Sequence, residues 1–97
     1  MNNYRYNVIY STKFKKALKR IKKQGKNIEE LLDVIDKLAI KEELEPKYKN
    51  HKLVNDKHYK NCGECHIQPD WLLIYQYNDN ELILLLLDSG SHSEVFD

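Results

Sequence analysis

Apolar residues recur along the chain with two periods, and the change from one to the other marks the elements. Residues 4–10, YRYNVIY, are rich in β-branched and aromatic side chains and predict a short strand. From Phe14 the spacing lengthens. Phe14, Ala17, Leu18 and Ile21 stand at i, i+3, i+4 and i+7, one face of an amphipathic helix capped by Ser11 or Thr12. Lys13, Lys15, Lys16, Lys19, Arg20, Lys22 and Lys23 fall mostly outside that face. Gly25 stops the helix, and Asn27 with Glu30 three residues later predicts a capping-box start to a second one. Its apolar stripe is Ile28, Leu31, Leu32, Ile35, Leu38 and Ala39. The two helices are expected to form a hairpin.

Beyond Pro46, which marks a loop, the period shortens to two. Residues 51–54 predict a short strand or extended crossing. From Asn61 to Gln68 the chain alternates, with Cys65 and Ile67 on one face and Glu64, His66 and Gln68 on the other. Pro69-Asp70 breaks it. Trp71 to Tyr77 is strand-like, Asn78-Asp79-Asn80 supplies a hairpin turn, and Glu81 to Leu87 is the apolar run of a central strand. Gly90 opens a short polar tail. The order β-α-α followed by three or four strands predicts one α+β domain over residues 1–97, a helical hairpin packed on a mainly antiparallel sheet.

Composition narrows the class. The 97 residues include 41% hydrophobic positions but only three Gly and two Pro, which suits one small core. The longest aliphatic run, Leu82 to Leu87, is far below the roughly 18 residues of a membrane span. The N-terminus carries no pattern of a secretory signal, so the cytoplasm is the expected compartment. Two cysteines do not make a disulfide framework and are expected to be reduced.

The net charge of +1 hides a segregated distribution. Residues 1–26 hold nine Lys or Arg and no acid, and residues 27–45 hold seven acids against Lys37 and Lys41. Residues 46–60 are basic again, and residues 61–97 contain seven acids with no Lys or Arg. Such blocks can give a dipolar surface with one face suited to a polyanion.

Two groups of residues suggest chemistry. Cys62 and Cys65 form a C-x-x-C pair near His58 and His66, but on a strand they face opposite sides and no second ligand pair follows, which argues against zinc. His66, Asp70 and His92 are the better candidates, since two imidazoles and a carboxylate can move protons near neutral pH. Trp71 suits either the core or a base-stacking platform.

Three segments carry a resemblance: Tyr48-Lys49-Asn50-His51-Lys52-Leu53, then Glu64 to Tyr75, then Gly90 to Phe96. In order and spacing they resemble the YafQ branch of the RelE toxin superfamily. The resemblance implies a RelE-like fold and a cofactor-free endoribonuclease that cuts messenger RNA in the ribosomal decoding site until a cognate antitoxin neutralises it. It places active positions at His51, His66, Asp70, Trp71, His92 and Phe96. RNA is cut without metal when its 2′-hydroxyl attacks the adjacent phosphorus, one group taking that proton and another protonating the departing 5′-oxygen. His66 and His92 are the expected pair. Asp70 would orient an imidazole or act as base, and His51 would contact phosphate or share the proton work. Trp71 and Phe96 would hold unstacked bases.

Relatives commonly carry an arginine where this chain has Gly63 and another where it has Asp88. Both positions are expected beside the scissile phosphate, so activity is expected to be reduced. The cations would then come from Lys49, Lys52 or Lys60, while Lys15, Lys19 and Lys22 on the first helix would meet ribosomal RNA. The resemblance implies contact with operator DNA only through the antitoxin complex, and no membrane partner. The alternative is a catalytically weak toxin fold whose main work is binding antitoxin; a third reading is an inhibitor of another target, such as gyrase.

Overall fold

In a computed structural model of the chain, residues 5–97 are described. The first strand, β1, spans Asn7–Tyr10, shorter than expected; Arg5 and Tyr6 form a bend, and Tyr4 lies outside the described residues. Helix α1 spans Thr12–Lys23 and helix α2 spans Ile28–Ala39. A 3₁₀ turn at Pro46–Tyr48 leads into β2, His51–Lys52, which is two residues long. Strands β3 (Gly63–Gln68), β4 (Trp71–Asn78) and β5 (Ile83–Gly90) follow as an antiparallel meander. The sheet order is β1-β5-β4-β3-β2, with β1 parallel to β5 and the other pairs antiparallel. The fold is α+β.

Ser11 is the cap of α1, its hydroxyl accepting the Phe14 N–H at 3.0 Å. Asn27 makes no side-chain cap, contrary to the expected capping box. Glu30 instead accepts from the side-chain amide of Gln68, which ties α2 to the end of β3. Phe14, Ile21, Leu31, Val34 and Leu38 meet Cys65, Leu73, Leu84 and Leu86 in the main core. Each large aliphatic or aromatic side chain so buried contributes about 1.5–3 kcal/mol.

Past Leu86, β1 no longer covers β5, and α1 takes over that edge. The Ser11 hydroxyl donates to the Leu87 carbonyl at 3.1 Å, and Arg20 Nη2 donates to the Ser89 carbonyl at 2.6 Å. A bulge also interrupts β5, because Tyr75 pairs with Leu86 while Ile74 pairs with Asp88. Bulges re-aim side chains, and this one turns Asp88 to the face of Ile74, away from the main core.

The expected polar tail is a short helix, α3, His92–Phe96. A reciprocal capping box starts it. Ser91 Oγ accepts the Glu94 N–H at 3.1 Å, and Glu94 Oε1 accepts the Ser91 N–H at 2.8 Å. Glu94 Oε2 also pairs with Arg20 Nε at 3.1 Å and accepts from Gln24 at 3.0 Å, so α3 is clamped to the end of α1. Gly90 makes room for the clamp. At φ +150° it adopts a conformation that favours glycine, and a Cβ there would lie 2.6 Å from Arg20 Nη2 and 2.9 Å from Glu94 Oε1.

Candidate active site

The face of the sheet opposite the main core carries the candidate chemistry. His51 on β2 stands directly across from Glu64 on β3, and His66 lies two residues further along β3 on the same face. Glu64 Oε1 is 3.3 Å from His51 Nε2 and 3.6 Å from His66 Nε2. One buried carboxylate oxygen thus serves two imidazoles. His51 Nδ1 also lies 2.7 Å from the Lys49 carbonyl, and His66 Nδ1 lies 3.2 Å from the Pro69 carbonyl. Both nitrogens of each ring therefore face acceptors.

Lys49 owes its place to a left-handed backbone, φ +47°, at the end of the 3₁₀ turn. With Lys47 it lines a 340 Å³ cleft that also holds His66 and Pro69. The other two expected cations lie elsewhere. Lys52 pairs with Gly63, so alternation points it away from Glu64 and His66. With Lys57 and Lys60 it lines a separate groove along residues 52–61.

His92 approaches from α3. It is exposed, its ring lies 4.9 Å from that of Phe96, and its backbone N–H is donated to Asp70 Oδ1 at 3.3 Å. The Pro69-Asp70 turn thereby links His66 on one side to the start of α3 on the other. Asp70 thus bonds the backbone of His92, and the carboxylate beside the His51 and His66 rings is Glu64. Sequence alternation already put Glu64 on the face of His66; the register with His51 was the missing information.

Trp71 also departs from expectation. It is 2% exposed in the main core, its Nε1 donating to Ser89 Oγ at 3.0 Å and Ser89 Oγ to the Leu72 carbonyl at 2.6 Å. A ring so enclosed presents no free face for a base. Phe96 is half-buried between His92 and Tyr59. Lys15, Lys19 and Lys22 are exposed along α1.

The two positions expected beside the phosphate lie elsewhere. Gly63 belongs to the opposite face, and a Cβ there would meet the Tyr75 ring, 2.6 Å from its hydroxyl oxygen. Asp88 is 2% exposed and paired with Lys13 Nζ at 3.4 Å, so it does not confront a bound phosphate. Cys62 and Cys65 sit in different clusters on opposite sides of the sheet. Cys62 and Cys65 are both buried, and burial pushes the Cys62 thiol up and that of Cys65 up to about 12. Neither is a ready thiolate.

A shared carboxylate between two imidazoles, with a third imidazole on a short C-terminal helix, sits on a scaffold that known proteins share. The sequence profile of the bacterial toxins of type II toxin-antitoxin systems called YafQ matches residues 6–97. The chain belongs to the YafQ toxin family. The mRNA interferase toxin YafQ of Escherichia coli BL21-DE3 is 31% identical over 88 residues, covering 90% of this chain and 91% of that protein. Its counterpart in strain K12 is 30% identical over the same shares. A metal-bound toxin from Helicobacter pylori superposes with a TM-score of 0.86 at 42% identity, covering 94% of this chain and 99% of the other. YafQ from strain BL21(DE3) gives 0.85 at 28%, covering 95% and 99%, and YafQ in the E. coli DinJ-YafQ complex gives 0.83 at 29% with the same coverage. Among YafQ relatives the RelE-like architecture expected from the three segments is thus present in this chain.

Proposed function

We propose that this chain is an endoribonuclease that cuts messenger RNA in the ribosomal A site, arrests translation in the cytoplasm and is silenced by a cognate antitoxin, through which alone it reaches operator DNA. The observation that carries the reading is Glu64 shared between His51 and His66, with His92 across the Pro69-Asp70 turn. Two E. coli relatives are named mRNA interferases, and one has been solved with DinJ, which supports the activity and the partner.

The chemistry follows from the side chains. One imidazole takes the proton from a 2′-hydroxyl, the freed oxygen attacks phosphorus, and another imidazole protonates the 5′-oxygen as its bond breaks. No metal is required for those transfers. Glu64 keeps the His51 and His66 rings in place, while Lys47 and Lys49 supply cations for the phosphoryl oxygens. Phe96 supports His92 rather than a base.

Induction without antitoxin, followed by mapping of messenger RNA ends on and off ribosomes, tests the reading. His66→Ala and His92→Ala should each lower cleavage by about 10²- to 10⁴-fold and leave antitoxin affinity nearly intact. Cutting at the parent rate in both variants would sink the assignment. A second reading, weak catalysis with antitoxin binding as the main work, is favoured by one observation: Arg20, one of only two arginines, is committed to Glu94 and Ser89. Translation arrest in cells separates the two.

A further inference from the structure

A second polar cluster lies buried on the histidine-bearing side of the sheet. Tyr59 is 5% exposed, and its hydroxyl accepts from Lys13 Nζ at 2.8 Å. The same oxygen lies 3.1 Å from Asp88 Oδ2 and 3.4 Å from the Val95 carbonyl. A phenol has one proton, and Asp88 is both the nearer and the charged acceptor. Asp88 Oδ1 in turn accepts the Ser89 N–H at 2.9 Å. Asp56 Oδ1 fixes the loop beneath by accepting the N–H groups of His58 and Tyr59, each at 2.9 Å. Three distant segments, at Lys13, Tyr59 and Asp88, are therefore tied at one oxygen. Burial pushes the Tyr59 phenol up and the Tyr59 bond pushes the Lys13 ammonium up, which keeps this pattern of protons at neutral pH.

The ring of Tyr59 points the other way along the same path. It meets Phe96 edge-on at 5.8 Å, and Phe96 meets His92 at 4.9 Å. Helix α3 has five residues, too few to hold its shape without tertiary support. The stack Tyr59, Phe96, His92 is part of that support.

We propose that Tyr59 is a positioning residue for His92, its hydroxyl locked by Asp88 and Lys13 so that its ring fixes Phe96 and Phe96 fixes the imidazole. The catalytic consequence rests on the ribonuclease reading; the packing consequence does not. Tyr59→Phe keeps the ring and removes only the anchor. Lys13→Gln alters a mostly exposed side chain, so it decides the matter if Tyr59→Phe fails to fold.

His92 ring-proton shifts by NMR and single-turnover cleavage on programmed ribosomes give independent readouts. Both variants should move the His92 shifts and slow cleavage about tenfold at saturation, with the half-saturating concentration unchanged. Lys13→Arg should restore both. Folded variants whose His92 shifts match the parent overturn the proposal, whether or not cleavage slows. His92→Ala is the separate control: if it cuts normally the ribonuclease reading fails, while the shift measurement still tests the positioning.

Discussion

Glu64 Oε1 lies 3.3 Å from His51 Nε2, directly across the β2–β3 pair. Because β2 is only two residues long, this contact joins an edge segment to the sheet as well as orienting a ring. Glu64→Gln replaces the charge with an amide of the same shape. It should lower cleavage by about 10- to 100-fold through misplaced imidazoles, with antitoxin binding retained. Single-turnover rates and a binding titration check both halves.

Arginine at position 63 or 88 should damage the fold rather than raise cleavage. At 63 the side chain meets the Tyr75 ring, and at 88 it places a cation against Lys13 in a buried site. Asp88→Arg should cost about 3–5 kcal/mol, the usual scale for leaving an uncompensated charge in a buried site. Urea denaturation measures it. A stable Asp88→Arg chain that cuts faster would restore the phosphate-facing role expected from sequence.

Some of this was legible in the residues and some was not. Helices α1 and α2 announce themselves because Phe14 to Ile21 and Ile28 to Ala39 keep a 3.6-residue period over several turns. The unbroken aliphatic run of β5 predicts a central strand; β5 is interior but second from the β1 edge, and the middle strand is β4. Helix α3 is too short for a period, and its one signal is the Ser91-x-x-Glu94 cap. The bulge at Leu87 has no signature in an all-leucine stretch, so the direction of Asp88 could not be read by counting. The pairing of Glu64 with His51 depends on strand register, which is a tertiary property.

The basic face of α1 should behave as a docking surface. Reversing the charges of Lys15, Lys19 and Lys22 together should weaken ribosome binding and flatten its dependence on salt, because fewer counterions are released. Binding measured across a salt series checks this. Unchanged affinity and slope would leave these lysines as a solvated face.

Acid should loosen α3 before the core. The Ser91 backbone bond, then Gln24 and Arg20, hold the Glu94 carboxyl below its ordinary value of 4.5. A depressed pKa means stability that is present above 4.5 and lost as pH falls through the lower folded value. Amide exchange at residues 91–97 should therefore accelerate as pH drops below 4.5, relative to exchange in β4 and after correction for intrinsic rates. Glu94→Gln should remove that difference.

The parallel pairing of β1 with β5 sets the order of events as the chain is made. Val8 and Tyr10 find their partners only at Leu84 and Leu86, and Trp71 finds its seat only when Ser89 arrives. Pairings so distant in sequence close large loops and form slowly. A nascent chain emerging from the ribosome therefore carries β1 unpaired through most of its synthesis, and His92 takes its position only after the sheet has closed around β5. For a protein whose proposed target is the ribosome, that topology delays competence until translation of its own message has passed the last long strand.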